Sequence, residues 1–326
     1  MRRKLLALGA IVVAASMSMV GCAGGSASGG DTDGDSFKVI AFTPGYGTPI
    51  GKSTTDAFVE RANELGWDVT LYTSDAYDEL NNDVTAAISQ GADAVLAAFP
   101  DPRQISPIVR AAADADIPIF SIDGGVEPND DFVLDVTTSQ QQIADTTVNA
   151  LDEAMGGMAG KTVMIVGHDP HIGIMTRSHM AEDLLTAGGA TIAGGEIKQI
   201  LNPGTSQEET LKFVTDFIQA NPDGLDGIWT GFDHAALGAV QAVEESGRDD
   251  IFVTGVDAIG AAVAKIQEDG PFYATVIQPF GDILDVVMTE MEAFAADGVM
   301  PSTNFVEVDV TLVDRNNAAT VEATDQ

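Results

Sequence analysis

The chain has 326 residues, with 50 Asp+Glu against 15 Lys+Arg, a formal charge of -35 at neutral pH, and 45% hydrophobic residues. Such acidity cannot replace the counterions around nucleic-acid phosphate and is repelled by anionic lipid, which excludes both as binding surfaces. The single cysteine excludes an intramolecular disulfide, so about 290 folded residues must rest on their apolar core.

Residues 1–22 come first. Arg2, Arg3 and Lys4 form a charged start, residues 5–20 an apolar run too short for a stable membrane helix, and Met19-Val20-Gly21-Cys22 a small-residue cleavage site. The segment resembles a bacterial lipoprotein signal in which Cys22 becomes a lipid-bearing N-terminus; a generic secretory signal is the alternative, and both export the chain. Removing the three basic residues leaves 12 against 50, a formal charge of -38. That balance suits a high-salt habitat, where ions screen self-repulsion. Residues 23–36 have no apolar periodicity and read as a flexible linker reaching about 20 Å.

From Phe37 one unit repeats, an apolar β-rich run followed by a helical pattern. Strands are predicted at 38–43, 69–73, 94–98 and 117–122, with helices on Phe58/Ala62/Leu65, Leu80/Val84/Ile88 and Ile105/Ile108/Ala112. Gly66 and Gly91 stop two of these helices. After a strand at 132–136 the pattern restarts, with strands at 162–166, 191–200, 227–230, 251–254 and 273–277 alternating with helices from Ile174, Gln207, Ala235, Ile259 and Asp282. This predicts two doubly wound α/β domains with parallel sheets and a ligand cleft between them. The tail from Arg315 is poor in apolar residues and reads as disordered, at least over 318–326.

Ligands of parallel sheets gather at the carboxyl ends of the strands. The loops there include Thr43-Pro44-Gly45-Tyr46-Gly47-Thr48, Phe99-Pro100-Asp101, Asp123-Gly124-Gly125, Gly167-His168-Asp169-Pro170-His171, Thr230-Gly231-Phe232-Asp233-His234, Gly255-Val256-Asp257 and Gln278-Pro279. Carboxylates, amides and aromatic rings without a nucleophile and its base suit a neutral hydroxylated ligand. Three other readings are weaker. The stretch from Gly45 to Ser53 imitates a phosphate loop but has Tyr46 where that motif needs glycine. His168, His171 and His179 lack the spacing of a zinc site and a cysteine partner. Asp123 and Asp257 could form a glycosidase pair only at a fixed separation across a scissile bond.

The order and spacing of several pieces carry a resemblance over 37–316. These are Glu64-Leu65-Gly66-Trp67, Ile117-Pro118-Ile119 leading to Asp123, Ala220-Asn221-Pro222-Asp223, the stretch from Asp233 to Ala239, Val253-Thr254-Gly255-Val256-Asp257, and Ala274-Thr275-Val276-Ile277-Gln278. Together they resemble the type I periplasmic-binding proteins of sugar ABC transporters, the ribose-binding group. The resemblance implies two lobes, 37–138 with 279–309 and 139–278 with 310–317, closing about a hinge of three strands near Thr138, Gln278 and Asp309. It implies Asp123, Arg177, Asp257 and Gln278 as hydroxyl-binding groups, with Thr43, Tyr46 and Ile50 in the first loop. His168 and Asp233 join them from the loops above. It also implies a monomeric, extracytoplasmic binding protein, not an enzyme, without metal or cofactor, delivering its ligand to an ABC permease. A sensor feeding a membrane receptor kinase is the alternative.

Three positions depart from that group. Gly124 stands where it has an arginine, and Phe99 and Phe232 stand where it has asparagines. The pocket should therefore prefer fewer hydroxyls or a larger apolar face than an aldopentose offers, as in another sugar, a polyol or a nucleoside.

Overall fold

The computed structural model describes residues 36–324, so the signal-like segment, Cys22 and all of the linker before Ser36 lie outside the described residues. The first lobe begins with β1 (Lys38–Thr43), α1 (Pro49–Glu64), β2 (Asp68–Thr73), α2 (Tyr77–Ile88), β3 (Ala94–Ala98), α3 (Ser106–Asp114), β4 (Ile119–Ile122) and β5 (Leu134–Thr138). The second contains α4 (Gln140–Met155), β6 (Thr162–Gly167), α5 (Ile172–Ala187), β7 (Thr191–Ile192), β8 (Lys198–Gln199), α6 (Ser206–Ala220), β9 (Gly227–Thr230), α7 (Asp233–Ser246), β10 (Phe252–Thr254), α8 (Gly260–Gln267) and β11 (Phe272–Ile277). The chain then returns to the first lobe for α9 (Phe280–Asp297) and β12 (Phe305–Val308), and to the second for β13 (Thr311–Asp314).

The first sheet runs β12-β5-β4-β3-β1-β2, parallel throughout. Its apolar runs are covered on both faces, which is why β3 is buried at every residue. Successive side chains point to opposite faces. Leu96 packs with Phe58, Phe120 and Met288 on one side, and Val95 with Phe42, Leu80 and Ile108 on the other. The second sheet runs β13-β11-β10-β9-β6-β7, with β8 also on β6 and β13 antiparallel to β11. Trp229 lies fully buried in its core and its Nε1–H donates to Thr147 Oγ1 at 2.8 Å, while Trp67 of the first lobe stacks near Phe37 with ring centroids 5.0 Å apart.

The chain crosses between the sheets after Thr138, at Gln278 and at Asp309. Gln142 on α4 holds the third crossing, accepting from the Val310 N–H at 2.9 Å and donating to Asp309 at 3.4 Å. Among the described residues no helix is long and apolar enough to cross a membrane.

Two expectations change. The single strand at 191–200 is broken into β7 and β8 by a turn at Ala193–Gly195, where Gly194 and Gly195 take φ of 75° and 71°. Glycine adopts such angles at little cost, so the pair interrupts the ladder. The tail is packed from residue 316 to residue 324. Ala318 and Ala323 are buried in the second lobe's core, and Gln267 Nε2–H donates to the Ala318 carbonyl at 2.8 Å. Small apolar side chains and backbone hydrogen bonds hold a segment whose composition carries no periodic signal.

Candidate functional site

Among the described residues, four of the six non-glycine residues with positive φ lie in loops at the carboxyl ends of strands: Phe99 at 56°, Asp123 at 52°, Asp257 at 120° and Ala258 at 55°. Each costs roughly 1–3 kcal/mol and persists only where surrounding contacts enforce it, a pattern that concentrates at functional sites. Two of the four are carboxylates, one from each lobe.

In the first lobe, Asp123 is buried just past β4 and its Oδ1 accepts from Thr137 Oγ1 at 2.6 Å. Behind it Asp135 Oδ1 accepts from the Gly124 N–H at 3.0 Å. A Cβ on Gly124 would overlap Ser121 Oγ and lie 2.9 Å from Pro100 Cγ. The glycine is therefore built into the loop. Thr43 ends β1 and caps its own loop, its Oγ1 accepting from the Gly45 N–H at 3.0 Å. Tyr46 is half-buried and donates to Asp56 at 2.7 Å. Ile50 packs against the core clusters of both lobes. Phe99 meets Phe280 edge-on at 5.2 Å.

Opposite them the second lobe presents Arg177, buried on α5. Its Nε–H donates to the Gly231 carbonyl and its Nη1–H to Gln140 Oε1, both at 2.9 Å. Two bonds in a planar fork fix the guanidinium. Asp257 Oδ1 accepts from Gln278 Nε2 at 2.7 Å, while Gln278 Oε1 accepts from Thr138 Oγ1 at 2.7 Å. One amide thus links a hinge strand to the carboxylate. His168 Nδ1 sits 2.8 Å from the Ile200 carbonyl, which only accepts, so this nitrogen carries a proton. Phe232 is buried beside Asp233.

The two lobes meet electrostatically. Burial pushes Asp257 up to about 6, with Arg177 opposing and the negative charge of Asp123 in the other lobe adding. Burial pushes His171 down to about 4, with Asp123 and Asp101 of the first lobe opposing. Arg177 is lowered by burial and raised by Asp257, Asp123 and Asp233. Arg103 also crosses the cleft. Its guanidinium is held by Asp101, with Nε–H donating to Oδ1 at 2.9 Å and Nη2–H to Oδ2 at 2.7 Å, and the same Nη2 reaches the carbonyls of Asp169 and Pro170 at 3.4 Å.

Asp233 is turned inward. Its Oδ1 accepts from Thr275 Oγ1 at 2.8 Å and its Oδ2 from the Ile259 N–H at 3.0 Å, so both oxygens serve the fold. Burial, with Asp257 adding, raises its pKa well above the usual carboxylate range. Gln140 escaped the reading of the loops, whereas His171 stood in it, weighed with His168 and His179 for zinc. Gln140 shares the buried face of α4 with Ile143, Ala144 and Thr147, so the helical spacing marks it as an inward amide. His171 caps α5, its Nδ1 accepting from the Ile174 N–H at 3.3 Å. His179 is exposed and pairs with Glu182 at 3.5 Å. Among the described residues no group of three or more His, Cys, Asp or Glu could hold a metal ion. Lys52, in the imitation phosphate loop, pairs with Asp56 one turn along α1.

Asp135 is almost fully buried and pushed up to about 6, mainly by burial. A carboxyl whose folded pKa lies above its ordinary 3.8 contributes its full stability below about pH 4 and loses it as the pH rises through 6. Asp135→Asn keeps an acceptor for Gly124 and removes the charge. Urea unfolding at pH 5 and pH 7 should show the wild type losing about 1 kcal/mol more than the variant over that interval. Parallel losses in both proteins would refute this origin.

A family model described as a periplasmic binding protein domain matches residues 40–297. The D-apiose import binding protein of Actinobacillus succinogenes is 25% identical over 288 residues, covering 87% of this chain and 90% of the relative. A solute-binding protein of an Agrobacterium vitis ABC transporter, solved with allitol, shares the fold at a TM-score of 0.77 and 19% identity, covering 87% of this chain and 97% of the other. The Caulobacter myo-inositol binding protein, solved with myo-inositol, does so at 0.75 and 22% identity, covering 89% and 97%.

Proposed function

The chain belongs to the periplasmic binding protein domain family, a family of binding proteins rather than enzymes, and from that premise we propose that it captures a sugar or polyol outside the cytoplasm for an ABC importer. The observation that carries the ligand class is the set of buried polar groups drawn from both lobes, Asp123 on one side and Arg177, Asp257 and Gln278 on the other. Carboxylates accept from ligand hydroxyls and the arginine donates to them, while Phe99 and Phe232 supply apolar faces for C–H surfaces. The relative named for D-apiose import and the fold neighbours solved with allitol and myo-inositol support the same class.

In this mechanism the lobes open and close about the three crossings. A ligand bonded to Asp123 and to Arg177 at once favours the closed arrangement over the open one, and the shift in population follows from that difference in contacts. Closure also brings Asp123 toward Asp257. The ligand's hydroxyls, set between them, offset the repulsion. The permease reads the closed surface. The motif ending at Cys22 supports a lipid anchor that keeps the protein at the extracytoplasmic membrane face. Cys22→Ser should release it from the membrane fraction, and retention of that variant would overturn the anchor.

The test of binding is the thermal shift of residues 23–326 with allitol, myo-inositol and D-apiose, beside Asp257→Asn. A binder at 100 times its Kd adds about 2.7 kcal/mol, which raises Tm by about 4 °C for a protein of this size. The shift should vanish in the variant. No shift with sugars or polyols would sink the ligand class.

A further inference from the structure

After β10 the backbone passes through Asp257 and Ala258, two successive non-glycine residues at positive φ. The N–H groups of this bend are held from inside the lobe. Asp257 N–H donates to the Val276 carbonyl at 2.9 Å, Ala258 N–H to Thr275 Oγ1 at 3.3 Å and Ile259 N–H to Asp233 Oδ2 at 3.0 Å. Its carbonyls are held from the other side by one distant residue. Thr324 Oγ1–H donates to the Asp257 carbonyl at 2.7 Å and Thr324 N–H to the Ala258 carbonyl at 3.2 Å.

The segment reaches that point by a fixed path. Asn317 closes the turn after β13, accepting from Asp314 N–H at 2.9 Å and donating to the Leu312 carbonyl at 2.7 Å. Ala318 and Ala323 are then buried in the second lobe's core. Thr324 is thereby delivered to both strained carbonyls, its hydroxyl and its N–H each bonding to backbone.

The geometry points to residues 315–324 as a strap, with Thr324 as a positioning residue that holds the Asp257 bend, and so the direction of its carboxylate, in the ligand-binding arrangement. This rests on Asp257 being a ligand group. Without the strap the paired positive φ angles relax toward ordinary values and the carboxylate swings away from Arg177.

The test uses Thr324→Val, which keeps the shape and removes the hydroxyl, Thr324→Ser, which keeps the hydroxyl, and a deletion of 318–326. Two readouts are taken: amide hydrogen exchange at 257–259 without ligand, and calorimetric Kd for whichever of allitol, myo-inositol and D-apiose binds the wild type, with Asp257→Asn alongside. Thr324→Val and the deletion should exchange faster at 257–259 and bind on the order of fivefold more weakly, with Tm of Thr324→Val within about 2 °C of the wild type. Thr324→Ser should match the wild type in both. Unchanged exchange and affinity in Thr324→Val would overturn the strap, and so would a lowered Tm with affinity intact. If the wild type binds none of the three, the ligand class fails while the exchange at 257–259 still decides the strap.

Discussion

Arg177→Met abolishes ligand binding, with affinity lowered on the order of a thousandfold in isothermal titration calorimetry against the sugar or polyol that stabilises the wild type. The side chain is buried, its Nε and Nη1 are committed to Gly231 and Gln140, and its charge opposes those of Asp257, Asp123 and Asp233. Removing one partner of such a buried set leaves carboxylates uncompensated, a loss of about 3–5 kcal/mol. Closure suffers as well, because Asp123 and Asp257 approach from opposite lobes. Arg177→Lys does not rescue, since an ammonium cannot make both bonds of the fork. A Kd within threefold of the wild type in either variant would remove Arg177 from the site.

Gly238→Val unfolds the second lobe or comes close to it. Gly238 sits where α7 presses on α6, and an added Cβ would overlap the Gln207 carbonyl oxygen and lie 2.9 Å from its carbon. Both obstacles are backbone, so no rotamer change relieves them. The expected cost is about 3 kcal/mol or more by urea unfolding, at the upper end for overpacking. Displacing α7 also moves Asp233, which ties Ile259 N–H and Thr275 together beneath Asp257, so binding should weaken even where the variant remains folded. A stability within about 1 kcal/mol of the wild type would show that the two helices separate without consequence.

Much of the fold is written in local patterns. Runs such as Ala94–Ala98 and Gly227–Thr230 are short, apolar and bounded by turn residues, so their alternation with helical spacing specifies parallel sheets covered on both faces. The site is legible to the extent that loops at strand ends supply it, as with Asp123 and Asp257. What is harder to read is how each polar group spends its hydrogen bonds. Asp233 and Asp257 look equivalent in sequence, each following a strand and preceding a helix. The fold consumes both oxygens of Asp233, whereas Asp257, at a backbone angle that no residue type announces, meets Gln278 within electrostatic reach of Arg177. Gln140 is equally quiet, because its partner Arg177 is 37 residues away. The strap after Arg315 is legible only in three dimensions, for its anchors are two alanines and one threonine.

The two tryptophans of the chain fall one in each lobe. Trp67 is partly exposed near Phe37, whereas the Trp229 indole is fully buried. Replacing either by phenylalanine leaves a single emitter whose colour reports one lobe alone, so fluorescence without any added dye distinguishes a molecule that melts as one body from one whose halves come apart in turn.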